Sequence, residues 1–222
     1  VDYFAITDSV FNDASGHYLK IAEEFVRRNL NIPWMCYLRP DDFKEEEVDL
    51  LRRAGLSAIE WGTDCATDTT LKAMKKDFTW DQVVHSNNMF AHNGMYNAHF
   101  IIFGGPGETH ETVDEGLTNL LQLEKCVVFA GIGVRIFPGT AVHEWALQED
   151  KIRSDQNLLP PSYYFSSAVD TEVIHQKILS SFNDRLDRIY PDGQYVETAK
   201  SFHNMGYRGP AWDLLLKRTI SR

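Results

Sequence analysis

The chain has 222 residues, 43% of them hydrophobic, and a formal net charge of -10. That length builds one good-sized domain, or one domain with a small appendage. The acidic balance argues against nucleic acid as a partner, and no apolar run reaches the roughly 18–20 residues of a membrane span.

The first stretch, Val1–Thr7 ("VDYFAIT"), is already strand-like. It has neither a Met nor a charged-then-apolar leader, so a fragment that starts in mid-fold is expected. Tyr18, Ala22, Phe25 and Val26 then share a helical face. A second apolar run covers Ile32–Leu38. Val48, Leu51 and Ala54 form another helical face, with Gly55 as its stop. Leu56–Trp61 is a third run. Thr79-Trp80-Asp81-Gln82 reads as a capping box that opens a helix with Trp80, Val83, Val84, Asn87 and Phe90 inward. Tyr96–Phe103 is the fourth run. Thr109 can cap the helix that turns Val113, Leu117, Leu120 and Leu121 inward. Val127–Phe137 is the fifth.

Short, nearly continuous apolar runs suit strands buried on both faces. Their alternation with helices is too regular for an α+β fold and gives an α/β chain with a parallel sheet. The expected fold is a partial parallel (β/α) barrel over residues 1–161, open or lacking its first strand. A doubly wound sheet is the fallback. Past Pro160-Pro161 the pattern becomes three helices and no strand, a helical C-terminal appendage over 162–222. Ile178, Phe182, Leu186 and Ile189 define the first helix, Tyr195, Ala199 and Phe202 the second, and Trp212, Leu215, Leu216 and Ile220 the third.

Cys36, Cys65 and Cys126 are odd in number and widely spaced. They read as thiols of a reduced, cytoplasmic chain and not as a disulfide framework. They offer no CxxC or CxxxC spacing, and none of the histidines stands at ligand spacing.

In parallel α/β folds, function gathers where strands end. Five ends here are polar or glycine-rich: Thr7-Asp8-Ser9, Tyr37-Leu38-Arg39, Gly62-Thr63-Asp64, Gly104-Gly105-Pro106-Gly107-Glu108 and Phe137-Pro138-Gly139-Thr140. The glycine turn is not a phosphate loop, since no Lys follows Gly107, and position 110 is His, not the last glycine of GxGxxG. Gly104 and Gly105 then allow close backbone approach to a flat ligand, or simply make a tight turn with Thr109 as helix cap. Asp64 can hold ribose hydroxyls or cap the helix near Thr67. Arg39 can clamp a carboxylate or pair with Asp41 or Asp42. Glu60, a charge inside a strand, needs a polar lumen. His99 reads as a satisfied lining residue before a ligand.

Together these ends resemble the radical S-adenosylmethionine enzymes, above all the branch that often carries an N-terminal cobalamin-binding domain. The matching text is "VDYFAITDSVFN", "IPWMCYLRPDDF", "LLRRAGLSAIEWGTD", "LKAMKKDFT", "FIIFGGPGETHETVDEGL" and "RIFPGTAVH". Its order and spacing follow the second to sixth strands of that family's barrel, over about Val1 to Trp145.

The resemblance implies a cofactor-binding set of Thr7, Asp8, Arg39, Glu60, Asp64, Phe103, Gly104, Gly105, Glu108, Ile136, Phe137 and Pro138. In it adenine lies against the backbone of the glycine turn, with Glu108 fixing that turn. Ile101 stands where the family often has glycine. Asp64 would meet the ribose, Arg39 the methionine carboxylate, and Ile136 to Pro138 would close the adenine side. The implied cofactors are S-adenosylmethionine, a [4Fe–4S] cluster and, through an N-terminal domain, cobalamin. The implied reaction is reductive cleavage to a 5′-deoxyadenosyl radical, which then attacks an unidentified small molecule.

The family's CxxxCxxC is absent from these 222 residues, so no catalytic residue is assigned and the chain alone is expected to be inactive. Pairing of two chains through an open sheet edge is a further expectation. Two other readings stay open. One is a divalent-metal hydrolase or aldolase built on Asp8, Asp64, His99 and Glu108. The other is a non-enzymatic module that docks through Trp212, Leu215 and Leu216.

Overall fold

Every apolar run named above contributes a strand: Tyr96–Phe103 keeps its ends, the others shift theirs, and the last divides in two. A computed structural model describes residues 1–191, 193 and 195–219. Its strands are β1 (Phe4–Ala5), β2 (Trp34–Leu38), β3 (Leu56–Asp64), β4 (Tyr96–Phe103), β5 (Cys126–Ile132), β6 (Val134–Arg135), β7 (Tyr163–Tyr164) and β8 (Arg188–Ile189). Its helices are α1 (His17–Arg27), α2 (Glu45–Arg53), α3 (Asp68–Ala73), α4 (Trp80–His92), α5 (His110–Asn119), α6 (Ala141–Gln148), α7 (Thr171–Phe182), α8 (Tyr195–Asn204) and α9 (Asp213–Thr219).

Six strands form one parallel sheet in the order β1-β2-β3-β4-β5-β8, while β6 and β7 pair as a small antiparallel ribbon. The order runs one way without reversal. That is the progression of an opened barrel, whereas a doubly wound sheet reverses at a switch point.

Helices cover the outer face of the sheet and the lower part of the inner one, which is why the strands read as nearly continuous apolar runs. On the outer face Cys36, Leu38, Ile59, Trp61, Ile101, Phe103 and Val128 pack against α1–α5 and α7. On the inner face Met35, Ala58, Ala98, Val127 and Phe129 meet Trp212 and Leu216. The apolar side of α9 is therefore buried against the sheet. Trp212 is 3% exposed and Leu216 6%, which removes the docking face expected there.

The capping signals form as read. Thr79 and Gln82 make the capping box of α4, and Thr109 caps α5 by accepting from the Thr112 amide. Four expectations shift. The first strand shrinks to Phe4–Ala5, with Thr7 to Val10 exposed. The fifth run breaks in two at Gly133, whose amide donates back to the Phe103 carbonyl at 2.8 Å. Leu121 is 65% exposed because α5 tightens into a 3-10 turn at Leu120–Gln122, which changes the direction of its side chains.

The largest shift lies past residue 162, where helices alone were expected. α7 stops at Phe182, ahead of the left-handed Asp184, so Leu186 is exposed and Ile189 joins the main sheet in β8. β8 pairs with β5 through Val128–Arg188 and Phe129–Ile189. Ile174, Ile178 and Phe182 of α7 sit in the same core as Ile101, Phe103 and Val128. Ile220 lies outside the described residues.

Candidate cofactor site at the strand ends

The turn after β4 is fixed by the chain's own groups. Gly104 has φ +75°, a left-handed conformation that favours glycine. Its amide donates to Glu108 Oε2 at 3.1 Å, and the Thr112 hydroxyl donates to Glu108 Oε1. Glu108 is 3% exposed; burial raises its carboxyl pKa, and these two donors pull it back. From below, the Ser166 amide donates to the Gly104 carbonyl and the Ser166 hydroxyl to the Glu108 carbonyl, each at 2.8 Å.

The glycines serve packing as well as approach. A Cβ on Gly105 would stand 2.9 Å from Val134 Cγ2, and one on Gly107 (φ +77°) 2.6 Å from Ala73 Cβ. The space beside Gly105 is therefore taken by β6. Only the backbone of Phe103 reaches the rim, because its side chain lies in the outer core.

The ends of β1, β2 and β3 lie along the same edge of the parallel sheet as this turn, in strand order. Thr7 and Asp8 follow β1 and are exposed. Arg39 follows β2, where Asn12 holds it: the Asn12 amide donates to the Arg39 carbonyl and its Oδ1 accepts the Arg39 amide, both at 2.9 Å. The Arg39 guanidinium lies 2.7 Å from Asp41 Oδ1 and 2.7 Å from Asp77 Oδ2, while Asp42 accepts from Gln82. Asp64 ends β3 at φ +61° with Lys76 Nζ 2.6 Å from its Oδ2. It is not the helix cap; Thr67 accepts from the Thr70 amide instead. These half-exposed ion pairs are weak enough, at about 0–1 kcal/mol, to be exchanged for a ligand.

Ile136 turns away from the rim, fully buried with Ala146 and Tyr164, and its amide donates to the Ser162 carbonyl. Phe137 is 51% exposed with Arg135 over its ring at 4.6 Å, and Pro138 is exposed.

Glu60 faces inward. Tyr37, Glu60 and Ala98 are register neighbours on the inner face. Trp212 Nε1 donates to Glu60 Oε1 at 2.9 Å, and the Tyr37 hydroxyl also bonds this carboxylate. Beside it Phe100 and Phe129 stack at 4.8 Å. Two residues further along their strands, Gly62 and Gly131 leave the upper inner face bare. A Cβ on Gly131 would meet nothing within 4 Å, and one on Gly62 only the Leu38 carbonyl at 3.8 Å.

His99 lies on the opposite face, 0% exposed. Its Nδ1 is 2.8 Å from Thr63 Oγ1, its Nε2 3.0 Å from Asn87 Oδ1, and its ring stacks on Trp61. Burial pushes its pKa down to about 3. Asp8, Asp64, His99 and Glu108 therefore do not converge, which removes the four-ligand metal reading. Among the described residues no group of three or more His, Cys, Asp or Glu side chains could hold a metal ion.

The cysteines do not fit an iron–sulfur cluster. Cys36 is buried in one outer core, Cys65 and Cys126 in the other. Burial pushes the Cys65 thiol up to about 12 and the Cys126 thiol to about 11, away from the thiolate form that ligates iron.

The Radical SAM superfamily model matches residues 7–118, from the loop after β1 to the end of α5. The chain belongs to the radical SAM superfamily. It is 27% identical over 146 residues to a tryptophan 2-C-methyltransferase of Streptomyces laurentii, covering 60% of this chain and 24% of that protein. It is 27% identical over 117 residues to an anaerobic magnesium-protoporphyrin IX monomethyl ester cyclase of Rubrivivax gelatinosus, covering 52% of this chain and 21% of the cyclase. Among solved structures it is similar to the radical S-adenosylmethionine methyltransferase TsrM of Kitasatospora setae, with cobalamin and a [4Fe–4S] cluster bound. That likeness has a TM-score of 0.80 at 22% identity and covers 99% of this chain and 51% of TsrM. It speaks for the fold, a partial radical SAM barrel, and the chain spans about a quarter of the length of the curated relatives.

Asn12, Thr112 and Ser166 also build the rim and were missed from sequence. Thr112 had a signal, three residues after the cap Thr109; Asn12 and Ser166 act across loops and had none.

Proposed function

We propose that these 222 residues hold S-adenosylmethionine within a longer radical enzyme. The observation that carries this is the Glu108-closed turn after β4, which lies inside the family match together with the ends of β2 and β3, beside a strip left bare by Gly62 and Gly131. The backbone of Phe103, Gly104 and Gly105 faces adenine, with Ile136 contributing backbone and Phe137 and Pro138 side chains to its other side. Asp64 exchanges Lys76 for the ribose hydroxyls, and Arg39 exchanges Asp77 for the methionine carboxylate. Thr7 and Asp8 meet the methionine amino group.

A [4Fe–4S] cluster supplies the electron that cleaves the cofactor to a 5′-deoxyadenosyl radical. The thiolates for it come from outside this chain, and no step through it belongs to these residues. The longer protein is an oxidoreductase or methyltransferase of this type, acting on a small molecule in the cytoplasm. The relative solved with cobalamin supports a cobalamin-binding partner domain.

Calorimetric titration of the chain with S-adenosylmethionine and S-adenosylhomocysteine tests the reading. Saturable binding is expected, and Asp64→Ala should weaken it about tenfold, the size of a lost charged hydrogen bond. With dithionite present, the chain alone should release no 5′-deoxyadenosine. Absence of binding by either ligand at millimolar concentration overturns the proposal.

A further inference from the structure

Below the rim, the inner face holds a second concave feature, a hollow of about 430 Å³ between the sheet, α8 and the segment that leads into α9. Glu60, Phe100 and Phe129 come from the sheet, Tyr195 from α8, and Trp212 from just before α9. Phe129 and Tyr195 meet edge-on at 5.5 Å, beside the Phe100–Phe129 stack, so the walls are aromatic.

The charge in this hollow is unbalanced. Among the described residues Glu60 is its one lining carboxylate, hydrogen-bonded to the neutral indole of Trp212 and the neutral phenol of Tyr37. Neither basic lining side chain is bonded to Glu60: Lys200 pairs with Glu197 at 2.6 Å, and His203 Nε2 lies 2.9 Å from the Gly209 carbonyl. A carboxylate offers about four acceptor positions, and two donors leave the others free. A desolvated carboxylate without a counter-ion is costly, and burial indeed raises the Glu60 pKa. Aromatic faces beside a carboxylate attract organic cations through the ring quadrupole.

We propose that this hollow receives a protonated amine carried on an apolar body, with Glu60 as its counter-ion and Phe100, Tyr195 and Trp212 as its walls. The ligand class is an organic ammonium compound, the substrate of the longer enzyme. This rests on the reading that the rim above the inner face holds S-adenosylmethionine.

The test uses benzylammonium and its neutral near-isostere benzyl alcohol on the 222-residue chain, followed by ¹H–¹⁵N spectra. The Trp212 indole N–H resonance, assigned by its loss in Trp212→Phe, reports the hollow directly. Benzylammonium should move this resonance with at least tenfold tighter binding than benzyl alcohol. Glu60→Gln, which keeps an acceptor for Trp212, should erase that preference while leaving benzyl alcohol unchanged. Equal binding of the two probes to the unaltered chain overturns the proposal, as does an unmoved Trp212 signal. Competition by S-adenosylmethionine for the same signal also overturns it, because the cation would then be the cofactor's own. Failure of S-adenosylmethionine to bind anywhere overturns the cofactor reading and leaves the benzylammonium preference standing.

Discussion

Glu108 and His99 are two buried polar side chains with opposite lessons. Glu108 accepts from the Gly104 amide and the Thr112 hydroxyl inside the turn. Glu108→Ala strands both donors, and each buried unpaired group costs about 1–3 kcal/mol. The urea midpoint should fall by the equivalent of about 2 kcal/mol or more, and Glu108→Gln by less. His99 has its pKa depressed from its ordinary 6.5 to about 3 by burial, with the Arg188 charge adding to the effect. A depressed folded pKa means that its contribution is fully present above pH 6.5 and is lost as pH falls toward 3, where the unfolded chain takes the proton. Thermal melts from pH 7 to 4 should show stability falling, with a shallower slope in His99→Gln. The role of Glu108 was legible because its motif is local. The outward direction of His99 was not, since strand alternation gives two faces without saying which one meets the helices. Arg39 shows a third case: of its two readings, the ion pair is the one formed here, and it includes Asp77, which no local pattern indicated.

At the scale of elements, capping chemistry was readable, and of the strands only Tyr96–Phe103 kept both its ends. Thr79, Gln82 and Thr109 act where the sequence put them because a cap is decided within four residues. Val127–Phe137 looked like one strand because its apolar run continues past Gly133. The break depends on β7, which arrives about thirty residues later and pairs with β6. Gly107 is a comparable long-range constraint, since its missing Cβ is required by Ala73 of α3. Gly107→Ala adds a left-handed penalty of about 1–2 kcal/mol to a backbone-anchored clash. A drop in the denaturant midpoint with an unchanged slope is the expected outcome.

For the whole molecule, the parallel alternation was legible, and the role of the last sixty residues was not. They were read as an appendage because β8 is only two residues long, too short to register as an apolar run. Yet α7 shares a core with β4 and β5, and Trp212 and Leu216 cover the inner face. A chain cut after residue 161 should lose cooperative unfolding and bind a hydrophobic dye, whereas the 222-residue chain should melt in one transition. A stable, dye-free 1–161 product would show instead that the barrel piece folds alone.

The Trp212–Glu60 bond joins residues 152 positions apart. During synthesis at about 5–20 residues per second, β3 leaves the ribosome many seconds before its indole partner exists. Phe100 and Phe129, once made, wait in turn for α8 and the Trp212 segment to cover them. The nascent chain thus carries an apolar groove until Tyr195, Trp212 and Leu216 arrive to cover it, which makes this stretch of translation a period of demand for a holding chaperone.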